Sequence, residues 1–180
     1  MLAIRCATRQ DVPLIRQFIY ELAEYERAPD EAVATEADLL RDGFGQEPKF
    51  RVVIAEWEGQ PAGFALFFYN YSTWQGRPGL YLEDLFVRPV FRGQGIGKAL
   101  LAYLARVAVD EGCGRLVWAV LDWNTPAIEF YKSLGAKVMK EWLTLRLSGE
   151  DLKKLAALSE TLPTARAVGA SPKAAKEQVR

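Results

Sequence analysis

The 180-residue sequence contains no histidine. This excludes an imidazole general base, Ser-His and Cys-His nucleophiles, and every histidine-ligated metal centre. Cysteine is nearly absent too. Cys6 and Cys113 are too few for a thiolate zinc cage or a disulfide framework, and both read as small buried hydrophobes. Charge of either sign is not in excess: 23 Lys and Arg stand against 23 Asp and Glu. A zero sum argues against a nucleic-acid partner, which normally requires a basic surplus. No apolar run approaches a membrane span, and Met1 to Ala7 is too short for a signal peptide. The expectation is a cytoplasmic enzyme or binding module with no metal, nucleic-acid or membrane partner. Its acid–base chemistry must come from carboxylates, tyrosine, lysine or water.

Half the residues are apolar and 26% are charged, the balance of a packed domain. At this length a single domain buries roughly 70% of its unfolded surface. Leu2 to Cys6 reads as a strand. Thr8 with Asp11 forms a capping-box pattern, and the apolar spacing from Val12 predicts a helix to about Tyr25. Thr35 with Asp38 opens a second helix that stops at Gly43-Phe44-Gly45. Phe50–Trp57 and Ala62–Tyr71 are aromatic and β-branched. They flank Glu58-Gly59-Gln60-Pro61, which predicts an antiparallel hairpin. Ser72 to Pro78 is the next turn and Leu80–Arg88 a third strand. A glycine-rich loop, Arg92 to Gly97, precedes a helix over Ala99–Glu111. A strand over Leu116–Leu121, a helix over Thr125–Leu134 with Pro126 at its first position, and a final strand over Val138–Leu147 follow. Ser148 with Asp151 opens a last helix through Leu158. The domain is therefore expected over residues 1–158, with a basic, mobile tail over 159–180. The order β-α-α-β-β-β-α-β-α-β predicts an α/β fold, a mixed sheet with helices on both faces.

A strand, a glycine-rich loop and a helix together hold phosphate: main-chain N–H groups point outward and the helix dipole favours an anion. Spacing rules out two versions. Gly97-Lys98 is followed by Ala99, so the Walker A pattern fails. Glycines at 93, 95 and 97 are one residue too tight for a dinucleotide fingerprint. What remains is Arg92-x-x-Gly95-x-Gly97 after LYLEDLFVRP, with WNTPAIEFYKSLGA about thirty residues on. That pattern resembles motif A of the GNAT superfamily of N-acetyltransferases, where it cradles the pyrophosphate of acetyl-CoA. ELAEYE, LLRDGFG and FFYNYSTWQG extend the likeness, from about Ile4 to Leu147, to the diamine (spermidine/spermine) and thialysine acetyltransferase branch.

The resemblance implies a GNAT fold, acetyl-CoA as cosubstrate, and direct transfer of acetyl to a primary amine in a ternary complex. Gly93, Gln94, Gly95, Ile96 and Gly97 would cradle the diphosphate, with Arg92 and Lys98 balancing its charge. Leu85, Phe86 and Val87 would offer backbone groups to the pantetheine arm in the manner of an added strand. Asn124, Thr125, Pro126 and Ala127 would contact the coenzyme; Asn124 reads equally as the N-cap of its helix. Tyr131 matches the tyrosine that protonates the departing thiolate, and Phe130-Tyr131 reads equally as packing.

Glu83 and Asp84 are strand neighbours and so face opposite sides. Mid-strand acids between Leu82 and Leu85 are costly unless paired or used. By resemblance Glu83 binds the amine and removes its proton through water. An alkylamine has a pKa of about 10.4, so a base must select its neutral form. Tyr25 and Glu26 would line the amine site. Trp74 would offer an aromatic face to an alkylammonium, and Glu141 would be a late acidic contact. Glu21 to Asp42 carries eight acids against Arg27 and Arg41, a local acidity suited to a cationic amine. Ser72-Thr73 replaces an acid of the polyamine enzymes, and the last strand is shorter before Trp142. These departures make a short diamine or a lysine-like amino acid such as thialysine at least as good a fit as a polyamine. Relatives of this branch are homodimers with the site near the interface, and the apolar strand Trp142–Leu147 reads as an interface element or equally as core. Two rival readings are a protein acetyltransferase and a non-catalytic acyl-CoA-binding module.

Overall fold

The computed structural model describes residues 1–161, and the basic tail predicted over 159–180 lies almost wholly outside them. Two compact units divide the chain, Met1–Ile128 and a second beginning at Glu129. The first unit is built on a five-stranded sheet of order β1-β2-β3-β4-β5. The strands are β1 (Leu2–Cys6), β2 (Arg51–Trp57), β3 (Gln60–Ser72), β4 (Arg77–Val87) and β5 (Leu116–Trp118). β1 to β4 are antiparallel neighbours and β5 joins β4 in parallel, so the sheet is mixed as predicted.

Helix α1 (Val12–Tyr25) lies against one face. Its Val12, Ile15 and Phe18 form one buried cluster with Val52, Ile54, Phe64, Leu66 and Phe86, which occupy alternate strand positions. Helix α2 (Glu36–Phe44) adds Leu39. The opposite alternates, Val53, Ala55, Ala65, Phe67, Leu80 and Leu82, are buried too. Helix α3 (Ile96–Asp110) touches all five strands and buries Ile96, Leu100, Leu101 and Leu104. Both faces are covered, one by α1 and the other by α3. Both predicted capping boxes form, at Thr8 with Asp11 and at Thr35 with Asp38.

Several predicted boundaries move. The β2–β3 turn is two residues, Glu58-Gly59, both with positive φ (52° and 77°); that twist suits a tight hairpin and lets pairing begin at Gln60. β4 starts at Arg77 because β3 continues to pair with it as far as Ser72. Helix α3 begins at Ile96, not Ala99: Gly95 turns the chain left-handed at its N-cap and the buried Ile96 anchors the first turn. β5 stops at Trp118 rather than Leu121 because its ladder with β4 ends there. Cys6 is exposed and Cys113 half-buried, so neither is a core residue.

In the second unit the predicted strand over 138–147 does not form. No ladder pairs it among the described residues, and alternation alone cannot satisfy a strand's main chain. Helix α4 (Thr125–Ser133), which reaches into this unit, and helix α5 (Gly149–Ala157) match their predicted segments closely. No helix of the described residues is long and apolar enough to cross a membrane.

Phe18 stacks on Phe64 with ring centroids 5.3 Å apart and meets Phe86 edge-on at 6.4 Å. Truncating it empties the centre of the α1 face, so Phe18→Ala is expected to cost about 3–5 kcal/mol. A urea titration of variant and wild type measures this directly; a loss below about 1 kcal/mol would contradict the packing described.

Candidate active site

The site grows from a change in how β4 is held. Up to Leu82 it is paired on both edges, to Phe67 of β3 and Trp118 of β5; beyond Leu82 only β3 remains. At the same place the ladder skips a residue: Leu66 pairs with Asp84 and Phe67 with Leu82, leaving Glu83 as a β-bulge. The bulge breaks the strict alternation assumed for Glu83 and Asp84. From Glu83 to Val87 no strand among the described residues pairs the second edge of β4, which leaves main-chain groups there available to a ligand, save the Val87 carbonyl that Arg92 engages. Phe86 points its side chain into the core, while Leu85 and Val87 are half-buried.

Glu83 is exposed and Asp84 half-buried. The carboxyl of neither, nor that of Glu26 at the end of α1, has a hydrogen bond or ion pair to another described residue. Burial, then the charges of Glu83 and Glu26, push the Asp84 carboxyl up to about 7. Partial desolvation raises Glu26 as well. The three acids thus share a patch of unbalanced negative charge. They are not grouped as metal ligands, since no cluster of three or more such donors exists among the described residues.

Around this patch the cations are already engaged. Arg88 donates to both Glu21 carboxylate oxygens at 2.8 Å and to the Pro61 carbonyl, and it lies over Phe18. That clamp ties α1 to the end of β4. Arg92 stacks on Tyr25 at 4.6 Å and donates from Nε to the Val87 carbonyl at 3.0 Å. Arg27 stacks on Trp123 at 4.7 Å. The Tyr25 hydroxyl reaches Asn124 Oδ1 at 3.4 Å, and the same oxygen accepts from the Ala127 N–H. Asn124 is buried and caps α4, whose first residues are Thr125 and Pro126.

After β4, Pro89–Phe91 makes one helical turn and leads into the glycine loop. Gly93 and Gly95 have φ of 80° and 76°, and nothing lies within 4 Å of where a Cβ would stand on either. Gln94 is exposed between them. Ile96, Gly97 and Lys98 form the first turn of α3, where N–H groups lack intrahelical acceptors. Open space, left-handed glycines and free donors at a helix start fit a diphosphate.

Tyr25, Glu26, Glu83, Asp84, Arg92 and Asn124 thus gather at one end of the first unit. Trp74 does not join them: it sits, highly exposed, at the tip of the β3–β4 hairpin. The six residue-to-residue steps from Arg77 to Glu83 put that tip about 20 Å away. Tyr131 and Glu141 belong to the second unit. Tyr131 lies in α4 with its ring 5.4 Å from Phe130, and Glu141 is exposed in the segment without strand structure. Of the acidic stretch, Glu21 pairs with Arg88 while Asp38 and Asp42 pair with Arg41; Glu26 alone acts on Asp84. Sequence reading missed the Glu21–Arg88 clamp and the Arg27–Trp123 stack. Only the adjacency of Trp123 to Asn124 and of Arg27 to Glu26 hinted at the latter.

A mixed sheet that opens beside a phosphate-suited helix start defines an acyl-coenzyme transferase architecture. The pattern of the acetyltransferase (GNAT) family matches residues 15–136, and the chain belongs to that family, which uses acetyl-CoA as cosubstrate. The thialysine N-epsilon-acetyltransferase of Bos taurus is 42% identical over 164 residues, covering 85% of this chain and 96% of the relative. The L-ornithine N5-acetyltransferase of Arabidopsis thaliana is 34% identical, covering 84% and 86%. An integron cassette protein from the mobile metagenome of V. cholerae shares the fold with a TM-score of 0.74 at 31% identity, covering 86% and 97%. The chain is accordingly an acetyltransferase of α/β fold.

Asp84 ionises in the folded state only near pH 7, but at about 4 when unfolded. Between those values the folded protein binds the extra proton, so this carboxyl's contribution to stability falls as pH rises from 4 through 7. Asp84→Asn is therefore expected to raise the melting temperature at pH 8 relative to wild type, and to raise it less at pH 4.5. Thermal melts at the two pH values check this; an equal shift at both would refute it.

Proposed function

We propose that the chain transfers acetyl to a primary amine of a small cationic substrate held by Glu26, Glu83 and Asp84. The observation that carries this is the set of three carboxyls that no cation among the described residues pairs with, two of them acting electrostatically on the third. Two of the relatives described above act, by name, on amino acids bearing a second amine, thialysine and ornithine. A lysine-like amino acid or a short diamine fits that chemistry.

Acetyl-CoA supplies the acyl group as a thioester. The N–H groups of the Gly93–Lys98 turn would hold its diphosphate, and the free edge of Glu83–Val87 would align its arm. Lys98 and the dipole of α3 would add positive charge there. Arg92 would keep the strand end in place through the Val87 carbonyl. Glu83, exposed on the bulge, would draw the ammonium proton through water. Asp84 would hold the cation and ionise fully once the amine arrives, because an opposite charge lowers a carboxyl pKa. A main-chain N–H on β4 would stabilise the developing oxyanion. Tyr131, assigned on the family resemblance, would hold on Oη the proton that the departing sulfur needs.

The same reading includes a homodimer acting in the cytoplasm. Cys6 and Cys113 form no disulfide, as suits a reducing compartment. Trp74, too far along β4 to line its own chain's amine site, would line the site of a second copy.

The test is thiol release from acetyl-CoA with putrescine, spermidine, thialysine, lysine and a lysine peptide. Turnover with one or more small amines is expected; activity on the peptide alone would overturn the substrate class. Tyr131→Phe should lower kcat by about 10²-fold or more with little change in KM, and unchanged turnover would remove Tyr131 as the acid. For the dimer, Trp74→Ala and Asp84→Asn should each be nearly inactive alone. An equal, reassorted mixture of the two should regain about a quarter of wild-type activity, since about half its dimers are hybrids and each hybrid contains one intact site of two; no recovery in a proven hybrid would exclude the shared site.

A further inference from the structure

We infer that Arg27 selects the acceptor by its carboxylate, so that the amine substrate is a diamino acid: its distal ammonium meets Glu26, Glu83 and Asp84 while its α-carboxylate meets the Arg27 guanidinium. This rests on the amine-acetyltransferase reading above and adds to it the substrate class and the residue that reads it.

Arg27 directly follows Glu26 and is exposed. Its φ of 64° makes it one of two non-glycine residues in the left-handed region among the described residues; the other, Glu58, is explained by a tight hairpin turn. A long side chain carries a conformational cost there, and such costs concentrate where function holds a residue in place. The left-handed turn ends α1, with the Arg27 N–H donating to the Glu24 carbonyl at 3.1 Å.

The guanidinium lies 4.7 Å over the Trp123 ring, and that ring is 6.3 Å from Tyr25. A cation–π contact holds an arginine without using its N–H donors, which stay available for a carboxylate to engage in bidentate fashion. None of those donors bonds another described residue. The neighbouring arginines differ: Arg88 is committed to Glu21 and Pro61, and Arg92 to Val87.

One end of the site is thus a cation with no hydrogen-bonded partner among the described residues, and the residue before it, Glu26, begins a set of unpaired carboxyls. A simple diamine offers Arg27 nothing and meets its repulsion. A diamino acid presents a carboxylate and a distal ammonium, the two charges the protein leaves unanswered.

The test compares thialysine with its carboxylate-free analogue, bis(2-aminoethyl) sulfide, in steady-state kinetics. Wild type should favour thialysine. Arg27→Gln should cut that preference about tenfold, through KM for thialysine rather than kcat, and Arg27→Lys should restore part of it. Thialysine methyl ester, which loses the charge without altering the protein, should show the same rise in KM on wild type and does not depend on the variants folding. An unchanged preference in Arg27→Gln, or no penalty for the ester, would overturn the role of Arg27 while leaving the acetyltransferase reading intact. Failure of wild type to acetylate any of these amines, or to bind acetyl-CoA, would overturn both.

Discussion

Strand β4 changes partners at Leu82. Behind that point two neighbouring strands consume its main-chain groups; ahead of it β3 alone does, and the bulge at Glu83 accompanies the change. A fully paired strand would have no donors to give to a ligand and no reason to carry two adjacent acids. Because the edge opens, Glu83 can be exposed while Asp84 stays half-buried, and the chain can leave the strand toward the glycine turn.

Holding an opened strand in place requires ties from elsewhere. The Glu21–Arg88 pair joins the middle of α1 to the residue just past β4, and Arg88 also caps the Pro61 carbonyl. Arg92 grips Val87 and Tyr25. Partly buried, two-pronged pairs of this kind position their elements more than they add net stability, because desolvation offsets much of the attraction. The arrangement leaves the end of α1, with Tyr25, Glu26 and Arg27, beside the acids of β4. Arginines are committed to framework contacts and carboxyls are left unmatched, which is the electrostatic form a cation-binding site takes. Arg27 is the exception, and its free rim adds an anion-reading end to the same site.

The fold was legible wherever a local pattern carried it. The periodicity of α1, the two capping boxes and the aromatic strands of β2 and β3 each have a short-range cause, and each appears. The segment over 138–147 shows the opposite case. Leu143 to Leu147 alternate apolar with polar residues, yet a strand exists only when another main chain pairs with it. The glycine turn was legible as a phosphate site from spacing, but the start of α3 three residues early depended on Ile96 finding a buried seat. Trp74 was placed with the amine site by resemblance. Within one chain, the length of β4 separates it from Glu83.

Sequence alone determined the chemistry available: no imidazole, no metal cage, adjacent acids in a strand, left-turning glycines before a helix, and membership in an acetyl-transferring family. Those follow from residue identity and spacing, which need no partner across the chain. Only the tertiary structure decided which charges are left unanswered. Whether Glu21 or Glu26 is free depends on which arginine reaches it, and Arg88 reaches Glu21 from 67 residues away. The state of Asp84 depends on how far packing removes it from water and how near Glu83 and Glu26 are brought to it.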